Sequence, residues 1–227
     1  GIAAGRIRRR EMKETSATVL AALEGAGLPV GAATAGRLAS FLDLLLRRNE
    51  AVNLVSRKEA TFETLLARHV LDALEGLRLL PAPAGRTLRL LDIGSGGGFP
   101  AIPLLIARVD LEGVLVDATG KKARFLEEAI GALELTARVV NARFPDPAID
   151  RMKSAPPCDL LTSRAVADAG GILRQARPVM GPGAVALFWT TEPLVGELRR
   201  DLPGAVVSFV RSAGAERRGI ARVECFT

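Results

Sequence analysis

Tyrosine is missing from this 227-residue chain, tryptophan and histidine occur once each, and cysteine twice. Each scarcity excludes something. Without many aromatic rings the chain is poorly equipped to read nucleic acid by stacking several bases on exposed platforms. Cys158 and Cys225 are too few for a disulfide framework and too sparse for a zinc site. A reducing cytoplasm is therefore the expected compartment, and no metal is expected. No apolar run reaches the roughly 20 residues of a membrane span. The arginines near the start lead into no apolar segment, so no secretory signal is expected.

What is present is ordinary for a globular chain: 48% hydrophobic and 25% charged residues, enough for a sizeable core. The net charge of +6 favours an anionic partner, nucleic acid first. The competing reading is an arginine-rich composition with no such partner. Basic residues cluster at Arg6/Arg8/Arg9/Arg10, Arg47/Arg48, Arg57/Lys58 and Lys121/Lys122/Arg124. The first cluster reads as an arm. The last two become a phosphate track if they meet at a ligand edge.

Residues 1–80 are predicted to be a helical extension, followed by one compact unit over 81–227. Val19, Leu20 and Leu23 begin one apolar face. Leu38, Phe41, Leu42, Leu45 and Leu46 form a second, and Phe62, Leu65, Leu66, Val70, Leu71 and Leu74 a third, at helical spacing. Gly27, Pro29 and Gly31 separate the first two, and Pro81-Ala82-Pro83-Ala84-Gly85 ends the helical part. From Leu88 the period changes. Short apolar strands are expected at 88–93, 114–117, 137–141, 159–163 and 184–189. Helices over 100–108, 121–133 and from the fourth strand to about 177 alternate with them, a loop covers 144–157, and a hairpin-like pair covers 205–210 and 220–226. Near-continuous apolar strands separated by helices predict an α/β fold whose parallel sheet is covered on both faces.

Gly94-Ser95-Gly96-Gly97-Gly98-Phe99-Pro100 follows the first strand directly, with Asp92 near that strand's end. Ligands of open parallel sheets bind beyond the carboxyl ends of strands, where the strand order reverses. Asp117 ends the second strand 23 residues after Gly94, close to the roughly 20 expected of a ribose-binding acid. Nicotinamide or flavin dinucleotides and S-adenosylmethionine (SAM) both fit this frame. A dinucleotide site wants a third glycine five residues after the first, so that pyrophosphate can sit on free helix N–H groups. Phe99 stands there, and Pro100 has no N–H. SAM carries no phosphate but does carry a sulfonium, and Asp92 suits its α-amino group or its positive field. The turn thus favours SAM over a dinucleotide, and a tight turn with no ligand is the structural alternative.

With its neighbours the turn resembles motif I of the bacterial 16S ribosomal RNA guanine-N7 methyltransferases, the RsmG or GidB family. The resembling stretches are Asp92 to Pro100 followed by Ile102-Pro103-Leu104, then Val116-Asp117-Ala118-Thr119-Gly120-Lys121-Lys122, and Thr162-Ser163-Arg164-Ala165. Upstream, Asn53-Leu54-Val55-Ser56 and Arg68-His69-Val70-Leu71-Asp72-Ala73-Leu74 are similar to the family's helical extension. The resemblance implies a Rossmann-like SAM-dependent methyltransferase fold with a seven-stranded, mostly parallel sheet, helices on both faces and an N-terminal helical extension. It implies SAM as cofactor, methyl transfer to a guanine N7, 16S rRNA or the small ribosomal subunit as partner, and a monomer with no membrane contact. The cofactor contacts that the resemblance implies include Gly94, Phe99, Phe144, Pro145 and Arg164, and Asp92, Gly96, Asp117 and Ala118 at the two strand ends complete the expected cofactor set. The implied RNA set is Asn53, Arg68, His69, Lys121, Lys122 and Arg164. Two stretches depart from the family pattern: Ala142-Arg143-Phe144-Pro145 lacks an acid after the third strand, and Trp189-Thr190 stands where the family commonly has Lys-Gly. Those departures leave room for a paralogue acting on a small molecule or protein, or for a non-catalytic SAM- or ribosome-binding module.

Guanine N7 has a free lone pair and no proton to lose. The protein must mainly align it with the methyl group, so the scarcity of histidine is no obstacle. Arg164 is the candidate for orienting guanine, phosphate or the cofactor carboxylate, because a guanidinium can bond guanine O6 while leaving N7 free. His69 reads either as a helix residue packed at the domain interface or, with Arg68, as a contact to RNA or a cofactor lid. Cys158 reads as structural.

Overall fold

The computed structural model describes residues 2–28, 30–83, 85–152, 155–164, 167–213 and 215–224. Two long helices open the chain, α1 (Ile2–Gly25) and α2 (Ala32–Asn49). Alanine, leucine and arginine are strong helix formers, so the Arg-rich start, expected as an arm, lies in the first turns of α1. Pro29 lies outside the described residues. The third helical face is interrupted: α3 (Phe62–Leu65), a π-helical turn (Leu66–Val70) and α4 (Leu71–Glu75) follow one another, and a 3₁₀ turn (Gly76–Leu79) ends the segment.

The sheet contains β1 (Leu88–Ile93), β2 (Leu111–Asp117), β3 (Ala137–Asn141), β4 (Cys158–Arg164), β5 (Met180–Thr191), β6 (Val206–Arg211) and β7 (Arg218–Glu224). Its order is β3-β2-β1-β4-β5-β7-β6, with β1 to β5 parallel and β7 antiparallel to both neighbours. The fold is Rossmann-like α/β, as expected. The chain builds outward from β1 to β3 and then returns to place β4 beside β1, so the order reverses between β1 and β4. Crossovers are α5 (Ala101–Ala107), α6 (Gly120–Ala132), α7 (Ala148–Met152) and α8 (Ala169–Ala176), and α9 (Glu192–Asp201) leads from β5 to β6.

Strand alternation sorts the core into two layers. Leu88, Leu90, Leu115, Leu160, Leu187 and Trp189 face α2, α5, α6 and the α3–α4 segment in one continuous cluster. Leu91, Ile93, Val116, Leu161, Ala186 and Phe188 face α7, α8 and α9. Burial on both faces explains the unbroken apolar runs of these strands. The helical part of the chain, from Val19 to Leu74, thus builds much of one layer's core. Polar ties reinforce it: the Arg37 guanidinium donates to the Leu133 carbonyl at 2.6 Å, and Arg48 is bidentate to Glu128.

Several boundaries differ from expectation. β2 starts at Leu111 and β5 at Met180, because strand pairing carries both past their apolar runs. α7 lies inside the expected 144–157 loop, and the ten-residue α9 carries a glycine and a proline that weaken its periodic signal. β7 begins at Arg218, and Cys225 and Phe226 fall outside the described residues. Among the described residues no helix is long and apolar enough to cross a membrane.

Gly76 lets the helical segment approach the sheet closely. A Cβ there would lie 2.7 Å from a ring carbon of Trp189. Gly76→Ala is expected to cost about 1–3 kcal/mol through overpacking. Urea unfolding, followed by the fluorescence of this single tryptophan, measures that cost.

Candidate functional site

The site forms at the carboxyl ends of β1, β2 and β4, where the strand order reverses. After β1 the backbone N–H groups of Gly94 and Ser95 donate to the Val116 carbonyl at 2.9 and 3.1 Å, so the turn folds over the end of β2. Asp117 then divides its carboxylate: Oδ2 accepts the Gly96 N–H at 2.9 Å and Oδ1 the Thr119 N–H at 2.8 Å. One side chain therefore ties together the two loops that bound the cleft. At Gly94 φ is +75° and nothing lies within 4 Å of a built Cβ, so this backbone faces open space. Gly98, at φ +91°, packs so closely that a Cβ would sit 2.6 Å from Ile102. Behind the turn, Gly97 rests against the Leu54 carbonyl. The 50–56 loop that carries this carbonyl is held by the buried Asn49, whose Oδ1 accepts the N–H groups of Leu54 and Val55 at 2.8 and 2.9 Å.

Asp92 is 1% exposed. Its Oδ1 accepts the Thr162 hydroxyl at 2.6 Å, while Oδ2 is buried with no hydrogen-bond partner. Burial pushes the carboxyl up to about 6, against the pull of the Ser95 and Thr162 hydroxyls. A carboxylate with one satisfied and one orphaned oxygen is a ready acceptor for a cationic donor.

The wall opposite comes from the helical segment. The His69 ring lies 4.9 Å from that of Phe99, which meets Phe41 edge-on at 5.3 Å. The His69 Nε2 atom is 3.6 Å from Glu59, too far for a hydrogen bond. Burial and the nearby Arg164 cation push the imidazole down to about 4, although Glu59 pulls the other way. His69 is therefore neutral near pH 7. The π-helical turn places His69 on Phe99 and turns the Arg68 carbonyl to the Arg164 guanidinium, which donates at 3.1 Å. π-turns recur at functional sites because they re-aim side chains within a helix.

Arg164 reaches back from the end of β4. Its Nη2 is 3.7 Å from Asp72, and its Nη1 is buried without an acceptor. Beside it is a cavity of about 380 Å³, bounded by Asp72, Arg164, Trp189, Leu194 and Arg218. Trp189 occupies the position where a lysine was noted as missing, and its indole N–H donates to the Asp72 carbonyl at 2.8 Å. Arg218 on β7, paired with Thr191 of β5, adds a second cation to this space beside Arg164.

The other expected site residues divide. Ala118 is exposed at the lip after Asp117. The stretch leading to Phe144 and Pro145 leaves β3 beside Asp117, whose carbonyl accepts the Ala142 N–H and the Asn141 side-chain N–H. Asn53 and Lys122 come together with Arg57 in one shallow concavity next to the glycine turn. Lys121 is exposed on the same first turn of α6. Arg68 does not join them by its side chain, which is exposed; only its carbonyl is engaged. Arg47 and Arg48 are taken up by Asp43 and Glu128. Ala165 lies outside the described residues. Sequence reasoning missed Asn49, Asp72, Thr162 and Ser212. An asparagine at a helix end, ahead of a polar loop, was a usable signal for the first; the others have partners 70 to 140 residues away.

The family profile described as rRNA small subunit methyltransferase G matches residues 35–204. Among curated relatives, the ribosomal RNA small subunit methyltransferase G of Halorhodospira halophila is 36% identical over 187 residues, covering 82% of each chain. That of Acidiphilium cryptum is 38% identical over 151 residues, 66% of this chain and 65% of that protein. Among solved structures, an O-methyltransferase from Bacillus cereus in complex with SAH superposes with a TM-score of 0.53 at 20% identity, over 82% of this chain and 91% of that one. The last likeness concerns the fold.

Asp92 and His69 make opposite contributions to stability in one pH window. The raised carboxyl of Asp92 contributes stability at low pH that is lost as pH rises from about 4 to about 6. The depressed imidazole of His69 contributes stability near neutrality that is lost as pH falls through 6.5 towards about 4. Relative to the wild type, Asp92→Asn should therefore gain up to about 3 kcal/mol as pH rises through its window. His69→Gln should gain a similar amount as pH falls. Urea unfolding at pH 4, 5, 6 and 7 reads both slopes; parallel curves for wild type and variant would refute the assignment.

Proposed function

The chain belongs to the rRNA small subunit methyltransferase G family, and from that membership we propose that it transfers a methyl group from SAM to N7 of a guanine in 16S ribosomal RNA. A ribosomal RNA substrate supports a cytoplasmic location for it. The observation that carries the reading is the glycine turn at the switch point, with the orphaned oxygen of Asp92 beneath it.

The residues present fit SAM. Gly94 opens backbone to the cleft without a side chain, and Asp92 offers a buried acceptor to a cation. Phe99 and Pro100 leave no anion-binding helix start for a pyrophosphate. SAM, when bound, supplies a methyl group activated by its sulfonium. Asp92 balances positive charge and accepts from the α-ammonium. Asp117 spends one lone pair of each oxygen on the backbone and keeps the others for the ribose hydroxyls. Ala118, Phe144 and Pro145 would hold the adenine end when SAM is bound. Phe99, backed by Phe41 and His69, excludes water from the cofactor side. With SAM bound, guanine N7 would take the methyl group on its own lone pair as the C–S bond gives way, so no residue of the chain would have to move a proton. Burial leaves the His69 imidazole a weak base, which agrees with a step that needs none. Alignment is then the main contribution of the protein. The Asn53, Arg57 and Lys122 concavity, beside the turn, takes RNA phosphates.

Radiolabelled methyl from SAM should enter small-subunit RNA from a strain lacking the modification, and borohydride/aniline cleavage should map it to a guanine. No incorporation while calorimetry shows intact SAM binding would overturn the RNA reading. Asp92→Asn should weaken SAM binding about tenfold or more, the effect expected of removing a charged partner. Arg57→Ala combined with Lys122→Ala should leave SAM affinity unchanged. That pair should flatten the slope of log affinity for RNA against log salt by about 1 to 2.

A further inference from the structure

We propose that the cavity between Asp72, Arg164, Trp189 and Arg218 receives the target guanine out of its stack, and that the Asp72 carboxylate reads its Watson–Crick edge. The assignment rests on the ribosomal RNA reading above and adds the residue that tells guanine from other bases. Enzymes that modify a base extrude it into such a pocket and read it by its edge. The cavity measures about 380 Å³, within the roughly 300–1,000 Å³ range of small-ligand sites. It opens at the ends of β4, β5 and β7, on the side of the switch point away from the glycine turn. An acceptor there lies beside the cofactor edge, with Arg164 at the border between the two.

The walls match guanine. Trp189 and Leu194 provide apolar surface. Asp72 is held firmly: Ser212 Oγ donates to its Oδ1 at 3.0 Å, and its carbonyl accepts the Trp189 indole. Arg164 Nη2 stands 3.7 Å from its Oδ2, longer than a hydrogen bond. Arg164 Nη1 is buried without an acceptor. Both side chains keep about a fifth of their surface exposed, so the Asp72 carboxylate and the Arg164 guanidinium border the cavity side by side as acceptor and cation. Guanine presents N1–H and N2–H₂ as adjacent donors, with O6 as the neighbouring acceptor, and satisfies both. Adenine and cytosine would set a ring-nitrogen lone pair against the carboxylate. Uracil would bring only one donor, flanked by two carbonyls. Reading this edge leaves N7, beyond O6, uncovered for methyl transfer, which an arginine clamped on O6 and N7 would prevent. Arg218 borders the same space with a second cation, suited to a phosphate flanking the extruded nucleotide.

Small subunits reconstituted with guanine or inosine at the mapped site test the assignment, because inosine lacks only the 2-amino group. The wild type should lose about tenfold or more in kcat/KM on inosine, mainly through KM. Asp72→Asn should lower kcat/KM on guanine by a similar factor and shrink the guanine-to-inosine ratio below about threefold, with the SAM Kd within about twofold of wild type. Ser212→Ala, which unpins the carboxylate, should narrow the same ratio and serves as the second variant if Asp72→Asn does not fold. Equal use of guanine and inosine by the wild type would overturn the proposal. So would full discrimination retained by a folded variant, or loss of SAM binding in Asp72→Asn. A wild type that methylates neither subunit would instead overturn the RNA reading itself.

Discussion

The hydrogen bond from the Trp189 indole to the Asp72 carbonyl, 2.8 Å long, is the contact on which the working face of the molecule depends. It joins the end of β5 to the middle of the α3–α4 segment, and the Arg164 bond to the Arg68 carbonyl joins β4 to the same segment one turn earlier. Ser212 and the Ala213 N–H add two more ties, to Asp72 and Glu75. The helical segment is thereby pinned across the carboxyl ends of the strands. His69 comes to rest on Phe99, and a cavity is left between the segment and the sheet. Gly76 is required because the indole occupies the space of its missing side chain.

Two aspartates on neighbouring strands show how burial and hydrogen bonding assign different work to the same chemical group. Asp117 has a backbone N–H on each oxygen and serves as a brace between two loops. Asp92 has one hydroxyl and an empty oxygen, in a place where a lone negative charge is costly. A group held in that condition favours the ligand that completes it. A cationic cofactor does so, and the adjoining turn, with Phe99 and Pro100, suits no pyrophosphate. The stability given up at Asp92 near neutral pH is of the kind that functional sites commonly carry.

Much of this was legible in the chain. The three helical faces, the five parallel strands and the antiparallel pair follow from apolar periodicity and from glycine and proline punctuation. The turn after β1 was legible because strand, acid and glycines are contiguous. Periodicity could not show the π-helical turn, since Leu65, Leu66, Val70 and Leu71 satisfy an uninterrupted helix almost as well. Nor could it show that Arg48 is consumed by Glu128, 80 residues away. Asp72 lay inside a stretch resembling the family's helical extension, but its partners Trp189 and Ser212 are far away in the chain.

The sequence by itself determined the layer architecture, the position of the cofactor turn and the ligand class that the turn favours, because those depend on local backbone chemistry and on short-range patterns. Only the tertiary structure decided which charges remain available, which are spent, and that Asp72, Arg164, Trp189 and Arg218 border one cavity. The physical reason is that hydrogen bonding and burial depend on neighbours. Those neighbours come from four elements that the strand order, and not the chain order, brings together.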